Sequence, residues 1–200
     1  MKYYLDITLL PDAEANLGFL WQKVYQQVHL GLVENKVAEN ESVIAVSFPN
    51  YGDKVFPLGD KLRLFADNQR QLEQLDIAKW LSRLTDYTHM KSIIEVPGSI
   101  NQFALFKRKQ IKSNIEKKAK KRAKHLNKSY SEVLEYLLKE QTDLTHDKYR
   151  SNLPFIQMES LSSKNRDRFP LFIERQFLDS CIEGKFTTYG LSKTATVPWF

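Results

Sequence analysis

Apolar and polar positions along the first hundred residues change period several times. KYYLDITLL (2–10) has the Tyr, Leu, Ile and Thr content of a strand, and Pro11 closes it. Residues 14–33 then take up helical spacing, with Leu17, Trp21, Val24, Val28 and Leu32 recurring every three or four positions. SVIAVSFP (42–49) and KLRLFA (61–66) predict two more strands. Asp67 can cap a second helix carrying Leu72, Leu75, Ala78 and Leu81, and MKSIIEVP (90–97) predicts a fourth strand. The order βαββαβ is the ferredoxin-like, RRM-like arrangement, which predicts an N-terminal domain over residues 1–97. Many unrelated proteins share that order, so it carries no function by itself. The K/R-G-F/Y-G/A-F pattern with which an RRM stacks bases is absent, and base stacking on this sheet is not predicted.

After Pro97 the texture changes. NQFALFKRKQIK is strand-like and leads into a helix beginning near Ile115, with Ser113 or Asn114 as its N-cap. A second helix is predicted over SEVLEYLLKEQ (131–141), capped by Ser131 or Ser129. Three strand-like segments follow: LPFIQMES (153–160), FPLFIERQF (169–177) and KFTTYGL (185–191). The pattern predicts an α+β protein whose second domain, α/β in content, spans residues 98–200. No Gly/Ser-rich linker separates the halves, which implies that they pack on each other.

Charge changes this picture most. KRKQIKSNIEKKAKKRAKH (107–125) holds ten of the chain's thirty Lys and Arg residues and a single acid, Glu116. The stretch carries +9 of a formal net charge of +6, so the remainder of the chain is about −3. Such local basicity is an electrostatic footprint for a polyanion. On a helix, Ile115, Ala119, Ala123 and Leu126 fall on one narrow stripe, while Lys117, Lys120, Lys121 and Lys124 lie opposite. A stripe made mostly of alanine can dock on a protein body, yet it lacks the Leu, Phe or Trp that a membrane-surface helix inserts. A solvated Lys-rich face is the plain structural alternative, but so many like charges with one acid among them repel without a partner.

Other features exclude whole classes. No apolar run approaches the roughly 20 residues that span a bilayer, and the acids in MKYYLDITLLPD interrupt any signal-peptide core, which predicts a cytoplasmic protein with no membrane partner. Cys181 is the only cysteine and has no intrachain partner for a disulfide. His29, His89, His125 and His146 show no metal-site spacing, so no metal site is predicted. The seven glycines form neither a P-loop nor GxGxxG, and no cofactor is expected.

A basic protein without a metal site can still cleave RNA, because the substrate carries its own nucleophile, the 2′-OH beside each phosphate. Such a site needs a base for that proton, groups that orient the ribose, and positive charge for the developing phosphorane. Histidine is the natural base near neutral pH. His29 lies on the flank of the first helix's apolar stripe, a position that suits a partly exposed imidazole or an ordinary flank histidine. ESLSSKNRDRF (159–169) and TTYGLSK (187–193) supply hydroxyls and charge, and Ser160, Ser162 and Tyr189 could hold a ribose or an imidazole or be plain loop residues.

Taken together, YYLDITLLPD, VHLGLV around His29, IAVSFP, KRKQIKSN, LPFIQMESLS and the terminal YGLSKTATVPWF resemble the type I-F CRISPR repeat-processing endoribonucleases, the Csy-type crRNA endonucleases of the Cas six family. The resemblance runs from end to end. It implies a ferredoxin-like N-terminal half carrying the catalytic histidine and a C-terminal half bearing a basic helix that binds an RNA hairpin. By position, His29 matches the catalytic histidine, Ser160 the serine that holds the ribose, Tyr189 the tyrosine near the imidazole, and Ser162 a supporting residue. It further implies that Arg108 and Gln110 read base edges low in the stem and that Phe169 stacks beneath its last base pair. Lys117, Lys120, Lys121, Lys124 and His125 would meet phosphates. The implied partners are a CRISPR repeat hairpin, bound by a monomer, and the other subunits of the type I-F interference complex.

Two departures from the family pattern matter, the first a loop after Ser162 longer by about two residues, which leaves Phe169, with its following PLFI, as the firmer match there. The second is the helix, lysine-rich where the family's is arginine-rich, which keeps point charges but loses bidentate geometry, so phosphate binding with a steep salt dependence is expected. The implied chemistry is metal-independent cleavage at the base of the repeat hairpin, leaving a 2′,3′-cyclic phosphate. A catalytically inactive hairpin-binding protein is the rival, and double-stranded DNA binding through the basic helix is a third reading.

Overall fold

The computed structural model describes residues 1–110, 115–142, 153–160 and 167–200, with side chains described for all of these but 115–118 and 138–142. β1 (Tyr3–Leu9) sits inside its sheet. Leu5, Ile7 and Leu9 alternate as buried residues, as a strand with one face on a core requires. It pairs antiparallel with β3 (Lys61–Ala66), and β3 pairs in turn with β2 (Ala45–Ser47). On its other side β1 meets β4 (Thr88–Met90) and β5 (Ile94–Glu95), giving the order β2-β3-β1-β4 with β5 also on β1. The predicted fourth strand is therefore two pieces along one neighbour. Between the pairs Met90↔Ile7 and Ile94↔Tyr4 it spends one more residue than β1 does, a bulge that breaks the run at Ser92 and Ile93.

α1 (Leu17–Glu34) connects β1 to β2. Asn16 caps it, its side chain accepting from the Phe19 N–H at 3.0 Å, and Leu20, Trp21, Val24, Tyr25, Val28 and Leu32 are buried along one side. Between β3 and β4 the predicted single helix is two, α2 (Gln69–Leu75) and α3 (Ile77–Trp80). The break falls at Asp76, which takes a left-handed conformation with φ of 44°. The cap of α2 is Asn68 and not Asp67: its side chain accepts from Gln71 N–H while the Gln71 side chain returns to Asn68 N–H, a reciprocal capping box.

The second sheet is also antiparallel, in the order β7-β8-β6-β9, from β6 (Phe103–Lys109), β7 (Phe155–Glu159), β8 (Arg168–Leu178) and β9 (Val197–Pro198). On β8, Phe172 faces Lys109 of β6 on one side and Phe155 of β7 on the other. KFTTYGL is not a strand. Phe186 makes one bridge to Ser42, and the rest is a turn around Gly190, whose φ of +68° no strand accommodates.

The chain divides into two compact units, Met1–Lys109 with Pro154–Phe200, and Gln110–Leu153. A boundary at residue 98 separates the strands of the first sheet from those of the second, and both sheets lie in the first unit. Within it one hydrophobic core joins them: Val24, Phe48 and Leu64 share a cluster with Phe106, Ile156 and Leu171, and Phe48 meets Phe106 edge to face at 5.3 Å. Asp6 and Arg63, opposite each other on β1 and β3, form a buried bidentate pair that also reaches the Phe200 carbonyl.

The second unit contains α4 (Ile115–Leu126) and α5 (Tyr130–Thr142). Ala119 and Ala123 pack on Val133 and Leu137 in a small core of their own. Leu126, expected on that stripe, is 48% exposed. It is the last residue of α4, after which Asn127 turns left-handed and Lys128 N–H closes onto the Ala123 carbonyl at 3.1 Å. Ser113 and Asn114, the expected caps, lie outside the described residues. At the start of α5, the Ser129 carbonyl accepts from Val133 N–H. Among the described residues no helix is long and apolar enough to cross a membrane.

Candidate active site

His29 follows Val28 on α1, just off the buried stripe, so the helix that anchors in the core holds its imidazole half-buried at an edge. The turn at 187–191 meets it there. Thr187 N–H donates to the Leu191 carbonyl at 2.8 Å, Gly190 N–H to the Thr187 carbonyl at 2.7 Å, and Val46 N–H on β2 to the Gly190 carbonyl at 2.8 Å. Any Cβ at residue 190 would overlap the Val46 side chain, so both the left-handed φ and the close approach demand glycine. The buried Tyr25 hydroxyl adds a bond of 2.7 Å to the Tyr189 carbonyl, and burial pushes that phenol's pKa up, keeping it a neutral donor.

Held in this way, the turn presents two groups to the histidine. The Thr188 carbonyl lies 2.8 Å from His29 Nδ1, and the Tyr189 ring lies parallel on the imidazole, with centroids 4.1 Å apart and planes 4° from each other. A carbonyl can only accept, so Nδ1 carries a proton and the neutral ring has its lone pair on Nε2. Burial lowers the His29 pKa; the bond to Thr188 works against that, and the Arg108 charge lowers it further. The result is an imidazole that is neutral at neutral pH and oriented by the main chain.

Arg108, exposed on β6, holds its guanidinium 5.0 Å from the Tyr189 ring and 5.4 Å from that of Phe169 on β8. The structure thus gathers His29, Tyr189, Arg108 and Phe169 from four separate stretches of sequence. Ser160 follows β7 directly, half-buried, with its N–H donating to the Asp167 carbonyl at 2.9 Å. Ser162 lies outside the described residues.

In the second unit Lys120, Lys121, Lys124 and His125 are exposed on α4, and Gln110 is exposed at its start. Lys117 belongs to α4, though its side chain is not among the described ones. Arg122 is half-buried, its guanidinium 5.5 Å from the Tyr136 ring, and Lys120 Nζ is 6.0 Å from that of Tyr130. Among the described residues, no salt bridge joins Lys120, Lys121 or Lys124 to an acid. Nor does any group of three or more His, Cys, Asp or Glu side chains there come together as metal ligands would.

A family model described as CRISPR-associated protein (Cas_Csy4) matches residues 4–200. The chain belongs to the Cas_Csy4 family. It is 34% identical to the CRISPR-associated endonuclease Cas6/Csy4 of Escherichia coli (strain UTI89 / UPEC), over 201 residues covering all of both chains. It is 31% identical to the protein of the same name from Pseudomonas aeruginosa (strain UCBPP-PA14), over 211 residues and again the whole of both chains.

In this Cas_Csy4 chain several residues that shape the site carry no signal a sequence reading could single out. Thr188 acts through its carbonyl, which every residue has. Tyr25 and Gln26 share the His29 side of α1 at spacings of four and three, yet look like ordinary helix residues. Asn40 accepts from the Thr188 hydroxyl at 2.9 Å across 148 residues of sequence. Gly190, in TTYGL, is a turn residue by type, but the strand-like composition of KFTTYGL masks it.

Proposed function

We propose that this chain is a metal-independent endoribonuclease that cleaves precursor CRISPR RNA at the base of the repeat hairpin and stays bound to its product. The observation that carries the reading is the His29 assembly, an imidazole with Nδ1 donating to a main-chain carbonyl, its pKa lowered by burial, and Nε2 left with the lone pair. In the reaction Nε2 takes the proton of the ribose 2′-OH just upstream of the scissile phosphate. The 2′ oxygen bonds to phosphorus, the bond to the 5′ oxygen breaks, that oxygen takes a proton from solvent, and His29 returns its own proton to solvent. The products are a 2′,3′-cyclic phosphate and a 5′-OH. Tyr189 keeps the imidazole plane fixed by stacking, Ser160 and Ser162 hold the ribose, and Arg108 supplies positive charge beside the base.

The names of the E. coli and P. aeruginosa relatives support endonuclease action, and the local basicity supports an RNA ligand. Residues 1–97 read as a ferredoxin-like domain carrying the base, which the strand order β2-β3-β1-β4, with α1 and α2 as its crossovers, supports. Residues 98–200 read as the hairpin-binding domain: Arg108 and Gln110 to base edges, Phe169 under the last base pair, and Lys117, Lys120, Lys121, Lys124 and His125 to phosphates. The bound monomer then joins the other subunits of the interference complex in the cytoplasm.

The test mixes protein with a repeat hairpin RNA in excess EDTA, beside the same RNA carrying a 2′-deoxy nucleotide before the cut. Cleavage of the first and tight binding alone of the second is the expected result. Binding of both without cleavage of either would overturn the reading in favour of an inactive hairpin binder. Equal affinity for a DNA hairpin would point to the double-stranded DNA reading.

A further inference from the structure

The proposed base and the proposed ribose-holding serine stand on different elements, and some group has to fix one relative to the other. On the reading of the preceding subsection, we infer that Gln26 is a positioning residue that locks the Ser160 peptide to the helix carrying His29. Gln26 lies one turn before His29 on α1, half-buried. Its carboxamide meets the main chain of Glu159, the last residue of β7, through both of its functional ends. Oε1 accepts from Glu159 N–H at 3.0 Å, and Nε2 donates to the Glu159 carbonyl at 3.4 Å.

That carbonyl belongs to the peptide group whose nitrogen is that of Ser160. The nitrogen is itself engaged, with its N–H on the Asp167 carbonyl at 2.9 Å. The peptide plane leading into Ser160 is therefore held at its oxygen by α1 and at its nitrogen by the returning chain. The Glu159 side chain is occupied elsewhere, 3.2 Å from the Arg168 guanidinium, and so does not compete for the amide. Only a primary amide of this length offers one donor and one acceptor in the required pair, since a carboxylate there would face the Glu159 carbonyl with a second acceptor.

Catalysis by proton transfer tolerates little displacement, and a shift of about 1 Å between base and substrate costs on the order of a hundredfold in rate. Gln26 touches no reacting atom in this scheme. It acts through Ser160, and its removal is felt in the rate.

The experiment is a double-mutant cycle of Gln26→Met, which keeps the side chain's length and apolar stem, with Ser160→Ala. Single-turnover cleavage of the repeat hairpin, hairpin Kd and thermal midpoint are measured for all four proteins. Gln26→Met is expected to slow cleavage roughly tenfold to a hundredfold, within the range of a misplaced catalytic constellation. Kd should stay within about twofold, and the midpoint should move little. In the Ser160→Ala background the same substitution should cost at most about twofold, because the group it positions is gone. Gln26→Glu should resemble Gln26→Met at neutral pH although it is the closer isostere. Wild-type cleavage with an unaffected Gln26→Met, or equal losses in both backgrounds, would overturn the inference alone. No cleavage by wild type would overturn the endonuclease reading and this inference with it.

Discussion

Removing the Arg63 guanidinium should damage stability far more than removing the whole Asp6–Arg63 pair. Arg63 donates to Asp6 through Nε at 2.6 Å and Nη2 at 2.9 Å, and to the Phe200 carbonyl through Nη1 at 2.9 Å. Its guanidinium carbon lies 4.4 Å from the Tyr4 ring and 4.0 Å from that of Phe200. The two side chains are 7% and 4% exposed, so water cannot replace a lost partner. Arg63→Met leaves a buried carboxylate facing an apolar chain, which costs about 3–5 kcal/mol. In a chain of this size each kcal/mol is roughly 2–4 °C, so the thermal midpoint should fall by about 6–20 °C. The Asp6→Leu/Arg63→Met double variant removes both charges together and should recover most of that loss, since the pair's attraction is largely spent against its own desolvation. Urea melts of wild type and the two variants at low and at about 0.5 M salt give the numbers, and the loss should barely change with salt because the pair is shielded from it. A single-variant loss below about 1 kcal/mol, or a double variant no better than the single, would refute the reasoning.

Three further outcomes follow from the site. On the proposed mechanism the base is neutral His29, and burial lowers its pKa below the ordinary value of about 6.5, so the cleavage rate should hold as pH falls through 6.5 and decline only below it. The sign for stability agrees: below 6.5 the unfolded chain takes up the proton first, so this residue's contribution weakens the fold as pH drops toward its folded pKa. Gly190→Ala should lower the melting midpoint and the cleavage rate together, since its Cβ would collide with Val46 and shift the carbonyl that orients His29. Changing Lys120, Lys121 and Lys124 to Gln should weaken hairpin binding at all sequences and flatten the plot of log affinity against log salt by about two to three units, read from titrations at several salt concentrations.

How much of this was legible beforehand varies by element. β1, α1 and α4 declare themselves because their apolar spacing answers to a single packing face, and β3, buried on both faces, by its composition. The break at Asp76 does not, because a run of helix-forming residues on both sides hides one left-handed residue. The bulge in the fourth strand is equally silent, since MKSIIEVP reads as uninterrupted β composition and only the register against β1 exposes the extra residue. KFTTYGL misleads in the same way: its β-branched and aromatic content outweighs a glycine that the Val46 contact makes decisive. In the candidate site, His29 was visible as a residue type on a helix flank. Its surroundings were not, because a carbonyl, a stacking ring and a distant guanidinium meet the imidazole only when three segments converge.

The pairing of Phe172 on β8 with Lys109 on one side and Phe155 on the other has a consequence for modularity. The chain leaves the two-sheet unit on one neighbour of Phe172 and re-enters it on the other, so its exit and return are two strand spacings apart, about 10 Å. Three or four extended residues bridge that gap. The helical pair between them is thus an insertion whose removal asks nothing of either sheet's register. A chain in which a short Gly/Ser bridge joins Lys109 to Pro154 should fold cooperatively while losing its grip on hairpin RNA, as circular dichroism melts and filter binding would record. The same geometry makes residues 110–153 a segment that can be exchanged or removed without re-pairing a strand of the two-sheet unit.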